Sequence, residues 1–383
     1  MVNRILFCAT VDYHIKAFHL PYMKWFKEQG WEVDVVASGN INLPFTDNKY
    51  NIPIKRSPFR SANISAYKQL KEIITENNYS IIHCHTPLGG LLARIAARKA
   101  RKNGTKVIYT AHGFHFCKGI SMINWFIYYP IERYLSRFTD CLITINQEDY
   151  NLARKHRFHA KDIEYISGVG VDIEQFKPVD IREKNQLKVA AGYDANDILL
   201  FNAGEFNKNK NQKFLLFAMV YLLKEVPNVK LLLAGEGVLL EQCKLLANQL
   251  GIRDKVSFLG FRKDISEIIP MCDIAVAASF REGLPVNVME SMACGLPVVA
   301  VKNRGHRELV HNELNGWMIE EWNAAKFANQ IKTLFNDDLR NQFGENGRNI
   351  IKNKYSINQI LIEKSRMYRK YMSKREGVEW IAP

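Results

Sequence analysis

The chain has 383 residues, 47% of them hydrophobic and 24% charged, with 53 Lys and Arg against 39 Asp and Glu for a formal net charge of +14. That length exceeds what one core usually supports, and the composition is that of a soluble globular protein with no low-complexity tract, so two globular domains are expected. The positive charge asks for an acidic partner, whether nucleotide phosphates, an anionic membrane surface or nucleic acid, and by itself does not choose among them.

In chain order, MVNRILFCATVDYH holds only a short apolar run ahead of Asp12 and His14, which reads as a first strand and not as a signal peptide. WEVDVVAS, YSIIHCH, KVIYTAH, DCLITIN and DIEYIS continue as strands, with amphipathic helical patterns between most of them. The beat restarts with DILLFNAG, NVKLLLAGEG, KVSFLG, CDIAVAAS and LPVVAV. This double series predicts an α/β fold of two doubly wound parallel-sheet domains. The join falls in GVGVDIEQFKPVDIREKNQLKVAAGYDANDI, where the apolar period gives way to charge, Gly and Pro. The expected domains are residues 1–175 and 176–355, with a helical tail over 356–383 crossing back to the first domain. No run approaches the roughly 18 apolar residues of a spanning helix. The seven cysteines are odd in number and scattered, as expected of buried thiols in a reducing cytosol. A cytoplasmic protein, peripheral at most at the inner face of the membrane, is expected.

In such folds ligands bind beyond the carboxyl ends of the strands, where helix starts present free amides, and two domains meeting along those edges would frame a central cleft. The motifs fall there. LGGLLARIAARKARKNG sets an apolar face against Arg94, Arg98, Lys99, Arg101 and Lys102, which is either a solvated helix or a face that attracts anionic lipid. IIHCHTPLGG and YTAHGFHF place His83, His85, His112 and His115 after two strands. Four histidines invite a metal, but no carboxylate or cysteine accompanies them; no metal is expected, and His112, before Gly113, is the better catalytic candidate.

In the second half, AGEFNKNKNQ follows a strand and opens a helix. Gly204 permits a sharp turn, and Lys208 and Lys210 put charge where amides already favour an anion; Glu205 opposes this unless a lysine pairs with it. AGEG is a tight turn. KVSFLGFRKDI puts Gly260, Phe261 and Arg262 after a strand, where a planar base would fit, although Phe261 alone reads as a core residue. EGLPVNVME sets Glu282 in a loop, a helix start near Pro285, and Glu290 more than a turn inside that helix. Ionised carboxylates accept from adjacent hydroxyls, so two acids so placed suit two polyols; paired glycosidase carboxylates are the other reading.

These residues resemble a known family. EGLPVNVME matches the E-x7-E signature of retaining glycosyltransferases of the GT-B fold, glycosyltransferase family four. AGEFNKNKNQ, LLLAGEG, KVSFLGFRKDI and ISGVGVDIEQF fall in that family's order, and ATVDYHIKAFHLPYMKWFKEQGWEVDVVASG with YTAHGFHF is similar to its bacterial capsular and exported-polysaccharide branch. The resemblance implies two Rossmann-like domains, acceptor side first and nucleotide-sugar side second. It implies that Glu282 binds donor-sugar hydroxyls, Glu290 the ribose, Lys210 the diphosphate, the amides of Gly283, Leu284, Pro285 and Val286 face sugar and diphosphate, Gly260 to Arg262 lies at the base, and His112 contacts the donor sugar. Glu205 stands where the family has an arginine, with Lys208 a substitute. His14, Lys16 and His19 replace contacts of the family's glycine-rich loop on the acceptor side. The implied reaction moves a hexose or N-acetylhexosamine from a nucleoside diphosphate sugar, UDP-linked, to a lipid-linked saccharide, with no cofactor, no metal and no nucleic-acid partner. The alternatives are a UDP-sugar 2-epimerase of similar fold and a basic nucleic-acid-binding protein.

Overall fold

The computed structural model describes residues 3–117 and 121–372. The chain divides into two compact units, one running to Gly170 and resuming at Ile357, the other Val171–Ser356. The tail beyond residue 372, part of the expected crossing helix, lies outside the described residues.

In the first unit, β1 (Arg4–Val11), β2 (Glu32–Ser38), β3 (Asn48–Asn51), β4 (Ile81–His85), β5 (Lys106–Ala111), β6 (Cys141–Thr144) and β7 (Asp162–Tyr165) form one sheet in the order β3-β2-β1-β4-β5-β6-β7. Every pairing is parallel. Strand alternation splits β1 between two cores: Leu6 and Cys8 join one cluster, and Ile5, Phe7 and Ala9 join the other. Both faces are therefore covered, which is why the strand reads as a continuous apolar run. The helix Ile357–Arg369 packs here, its Ile360, Met367 and Tyr368 in one cluster with Trp25 and Phe26.

The second unit repeats the plan with β8 (Ile198–Ala203), β9 (Val229–Ala234), β10 (Val256–Gly260), β11 (Ile274–Ala277), β12 (Val298–Val301) and β13 (Gly316–Ile319), all parallel, in the order β10-β9-β8-β11-β12-β13. In each sheet the chain winds outward in one direction, returns, and winds outward in the other. The reversal falls between β1 and β4 and between β8 and β11, the points where such sheets open a crevice for ligand. The seven cysteines are buried and unbridged.

Candidate active site

In the second unit, backbone hydrogen bonds fuse the loops after β8, β9, β10 and β11. Gly235 N donates to Gly260 O at 2.7 Å, Phe206 N to Glu236 O at 2.7 Å, and Phe280 N to Asn209 O at 2.8 Å. Side chains complete the joint: Asn209 Nδ2 donates to Arg281 O at 2.9 Å, and Asn287 Nδ2 to Ala203 O at 2.7 Å. Gly235 sits at φ +136°, and a Cβ there would lie 2.1 Å from the Gly204 carbonyl oxygen, so the AGEG turn is where two loops touch backbone to backbone. Gly235→Ala is expected to destabilise the protein by about 2–4 kcal/mol, combining strain with overlap. Urea unfolding of the variant checks this; an unchanged midpoint would show that the loops part without cost.

On this frame Lys210 Nζ meets Glu282 Oε1 at 2.7 Å. Asn207 Oδ1 accepts from the Lys210 amide at 2.9 Å and fixes the turn, and Gly204 leaves room beside the Lys210 stem, 3.3 Å from an added Cβ. Arg304 Nε donates to the Glu282 carbonyl at 2.9 Å, and Gly305 packs so close that a Cβ would lie 2.7 Å from Glu282 Cβ. Burial pushes the Glu282 carboxyl up, but the Lys210 charge and hydrogen bonds from Lys210 and Ser279 outweigh it and hold it below the usual range. The loop Gly283–Leu284 then leads to Pro285, which caps the helix Val286–Ala293. Glu290, within that helix, is pushed up to about 7 by burial.

Lys208 and Glu205 are both exposed. Lys210 pairs with Glu282, and Glu205 makes no ion pair among the described residues. Phe261 is 54% exposed, so the core reading of it in isolation is corrected. Beside it, Arg262 Nε donates to Asp264 Oδ1 at 2.7 Å, which occupies that guanidinium locally. Sequence reasoning passed over Ser279, Arg304 and His306. All three follow strands, and Asn303, which caps the helix Arg304–Leu309 through the His306 amide, was the available signal.

In the first unit, His112 follows β5 and His85 ends β4, while His14 and His19 come from the segment after β1. These four gather: one ring nitrogen of each lies within 4.8 Å of one from every other. The grouping differs from the sequence quartet. His83 bonds Tyr368 Oη at 2.6 Å and Thr110 Oγ1 at 2.8 Å, a structural role, and His115 packs against Tyr128 at 5.0 Å between ring centroids. Lys16 is exposed, apart from the histidines flanking it in sequence. Asp12 anchors the segment by accepting from Lys49 Nζ and the Ile41 amide, both at 2.7 Å. Arg94 corrects the basic-face reading: it is 1% exposed, bonded to Glu132 at 2.9 Å and set over the Tyr109 ring at 3.8 Å.

The family described as glycosyl transferase 4-like matches residues 4–146, and glycosyl transferases group 1 matches residues 183–350. The chain is 48% identical over 373 residues to the glycosyltransferase EpsD of Bacillus subtilis, covering 97% of this chain and 98% of that one. It is 29% identical over 315 residues to the UDP-Gal:alpha-D-GlcNAc-diphosphoundecaprenol alpha-1,3-galactosyltransferase of Escherichia coli, covering 78% and 79%. Among solved structures, Anabaena HepE in complex with UDP and glucose superposes with a TM-score of 0.79 at 21% identity, covering 96% of this chain and 100% of that one. The chain belongs to the GT-B glycosyltransferases of family four, a glycosyl transferase 4-like domain followed by a group 1 domain.

Proposed function

We propose that this glycosyltransferase moves a hexose or N-acetylhexosamine, with retention, from a UDP-linked sugar to a hydroxyl of a lipid-linked saccharide in capsular or exopolysaccharide synthesis. The observation that carries the reading is the Lys210–Glu282 pair beside the β8/β11 reversal, with Glu290 further along the adjoining helix. Glu282 would take sugar hydroxyls, Glu290 the ribose diol, and Lys210 with the amides from Gly283 onward the diphosphate; Phe261 would offer its ring to the base. As the anomeric C–O bond breaks, its electron pair leaves on the diphosphate, where Lys210 and the amides meet the charge without a metal at that position. The acceptor oxygen bonds to carbon on the same face, and its proton passes to the departing phosphate oxygen. The relative that names a UDP-sugar and a diphosphoundecaprenol acceptor supports this donor and acceptor class. The epimerase alternative finds no support among these relatives.

Thermal-shift screening against a panel of nucleoside diphosphate sugars, followed by transfer of the labelled best ligand to a lipid-linked saccharide, tests the reading, because a bound ligand stabilises by mass action. UDP-sugars are expected to stabilise and be consumed only with acceptor. A new nucleotide sugar formed without acceptor would restore the epimerase, and no stabilisation by any member of the panel would overturn the assignment.

A lipid-linked acceptor requires approach to a membrane. No helix among the described residues is long and apolar enough to cross one. The helix Met122–Leu135 instead exposes Ile123, Phe126, Ile127, Ile131 and Tyr134 at helical spacing, with Phe126 75% exposed. Arg98, Lys99, Lys102 and Arg137 in the same unit are exposed as well. An apolar stripe with basic companions suits an anionic bilayer surface, at about 1 kcal/mol per basic residue plus the buried ring. Co-sedimentation with phosphatidylglycerol vesicles is expected for the wild type and is expected to weaken roughly tenfold or more in Phe126→Glu. Equal binding by the two proteins would remove this helix as the contact.

A further inference from the structure

In the second unit the loops after β11 and β13 meet in a pair of aromatic rings that no step of the proposed transfer uses. Phe280, shortly after β11, and Trp322, shortly after β13, set their ring centroids 4.5 Å apart at 44°. Both lie at the carboxyl edge of the sheet, where such folds take their ligands. The pair is held from beneath: Trp322 meets Phe214 edge to face at 5.4 Å, and Phe214 packs at 5.3 Å on the fully buried Phe327. The Phe280 amide donates to Asn209 O at 2.8 Å, in the same joint that carries Lys210 and Glu282. The helix Gln212–Leu222 continues the row, because Phe217 and Tyr221 follow Phe214 on one helical face. Phe280, Trp322, Phe217 and Tyr221 are each between 43% and 55% exposed. A single exposed ring asks for no explanation, but a supported row of them that starts beside the Glu282 loop does.

We infer that this row is a binding track for the saccharide chain of the acceptor, on which successive pyranose rings lay their C–H faces against Phe280, Trp322 and the rings beyond. The C–H bonds on one face of a pyranose form an apolar patch of aromatic size, and their slight positive polarity suits the negative face of a π-system. The hydroxyls round the sugar's edge then need polar company, and Trp322 stands between two ion pairs, Lys302 with Glu320 at 2.5 Å and Lys326 with Glu321 at 2.8 Å. A second copy of the chain is a poorer occupant. About half of each side chain is open, on the order of 100 Å² apiece and 400 Å² together, against roughly 800 Å² per partner in a stable protein interface. An acyl chain fits less well too, because the row is wholly aromatic, whereas the stripe of the helix Met122–Leu135 mixes isoleucines with its rings. This inference rests on the proposed reading of the acceptor as a saccharide, and is independent of which sugar is transferred.

The test titrates full-length protein with maltotriose, cellotriose and triacetylchitotriose, read by saturation-transfer NMR from the aromatic protons and by tryptophan fluorescence. Transfer to sugar C–H protons and a fluorescence change are expected with at least one trisaccharide. Trp322→Ala and Phe280→Ala are each expected to weaken binding about fivefold or more, and Trp322→Phe, which keeps a ring, to preserve it. In transfer assays Trp322→Ala is expected to raise KM for the lipid-linked acceptor about fivefold or more while KM for the nucleotide sugar stays within about twofold. Should Trp322→Ala fail to fold, Phe280→Ala decides, since the main-chain bond to Asn209 survives that substitution. No response of the wild type to any trisaccharide, full binding by a folded Phe280→Ala, a rise confined to the KM of the nucleotide sugar, or a wild-type dimer that Trp322→Ala dissolves would each overturn the track. Failure of the wild type to transfer from any nucleotide sugar would overturn the proposed function, whereas the trisaccharide titration decides the track by itself.

Discussion

Glu282→Gln is expected to lower kcat by about 10²- to 10³-fold while moving KM for the nucleotide sugar by roughly tenfold at most. The substitution keeps the shape of the side chain and leaves the backbone carbonyl available to Arg304 Nε. It removes one negative charge that the Lys210 ammonium and the Ser279 hydroxyl hold in the ionised form despite burial. A carboxylate at this position matters most when the bond to the anomeric carbon stretches and the sugar ring becomes electron-poor, because its hydroxyls then donate more strongly. Ground-state binding suffers less, since Lys210, released from its 2.7 Å contact with Glu282, remains free to face the diphosphate. Steady-state kinetics with kcat and KM resolved separately check the result. A loss appearing wholly in KM would make Glu282 a uniform binding residue and would remove it from the reacting centre.

Most strands were legible because burial on both sheet faces writes a continuous apolar run into the chain, as in RILFCATV and VVAV. β3 and β13 escaped notice for the converse reason. Both are sheet edges of four residues; NKYN presents exposed asparagines at its two ends, and GWMI is apolar but too short a run to stand out. Edges are specified by pairing with a neighbour more than by their own composition, and pairing is not visible in a linear reading.

The residues of the second unit's site were legible as types and positions, but their mutual engagements were not. Glu282 and Lys210 are 72 positions apart, and only the β8/β11 reversal makes them partners. Glu205 and Lys208, neighbours in sequence, both turn to solvent, because the tight turn that buries Phe206 between them sends the flanking side chains outward. Arg94 was read as part of a basic face from its neighbours, whereas its helix turns it inward to Glu132 and Tyr109. The histidines show the same limit: His83 and His85 share a strand face and both meet Phe7, yet His83 is hydrogen-bonded to Tyr368 while His85 stacks on His19, partners distant in sequence.

Glu290→Gln is expected to change stability and nucleotide binding in opposite directions, and the pH dependence separates it from a packing effect. In the free protein burial raises the carboxyl from 4.5 to about 7. The folded state therefore binds a proton that the unfolded chain releases. Its contribution is fully present below about pH 4.5 and is lost as the pH rises through 7, a span of about 3 kcal/mol. Relative to the Gln variant, wild-type stability should fall over this window, so that denaturant midpoints that match near pH 5 diverge by pH 8 with the variant the more stable. Ribose binding runs the other way, because only the ionised carboxylate offers acceptors to both hydroxyls of the diol. Wild-type affinity for a UDP-sugar, whose diphosphate does not titrate in this range, should rise with pH up to about 7 and then level. The variant should bind about 10- to 100-fold more weakly at pH 8 and show no such rise, consistent with the loss of charge-assisted hydrogen bonds. Paired calorimetric titrations at pH 6 and pH 8 decide it: parallel affinities in the two proteins would place the ribose elsewhere and leave Glu290 as a buried acid whose ionisation costs the fold stability without serving the ligand.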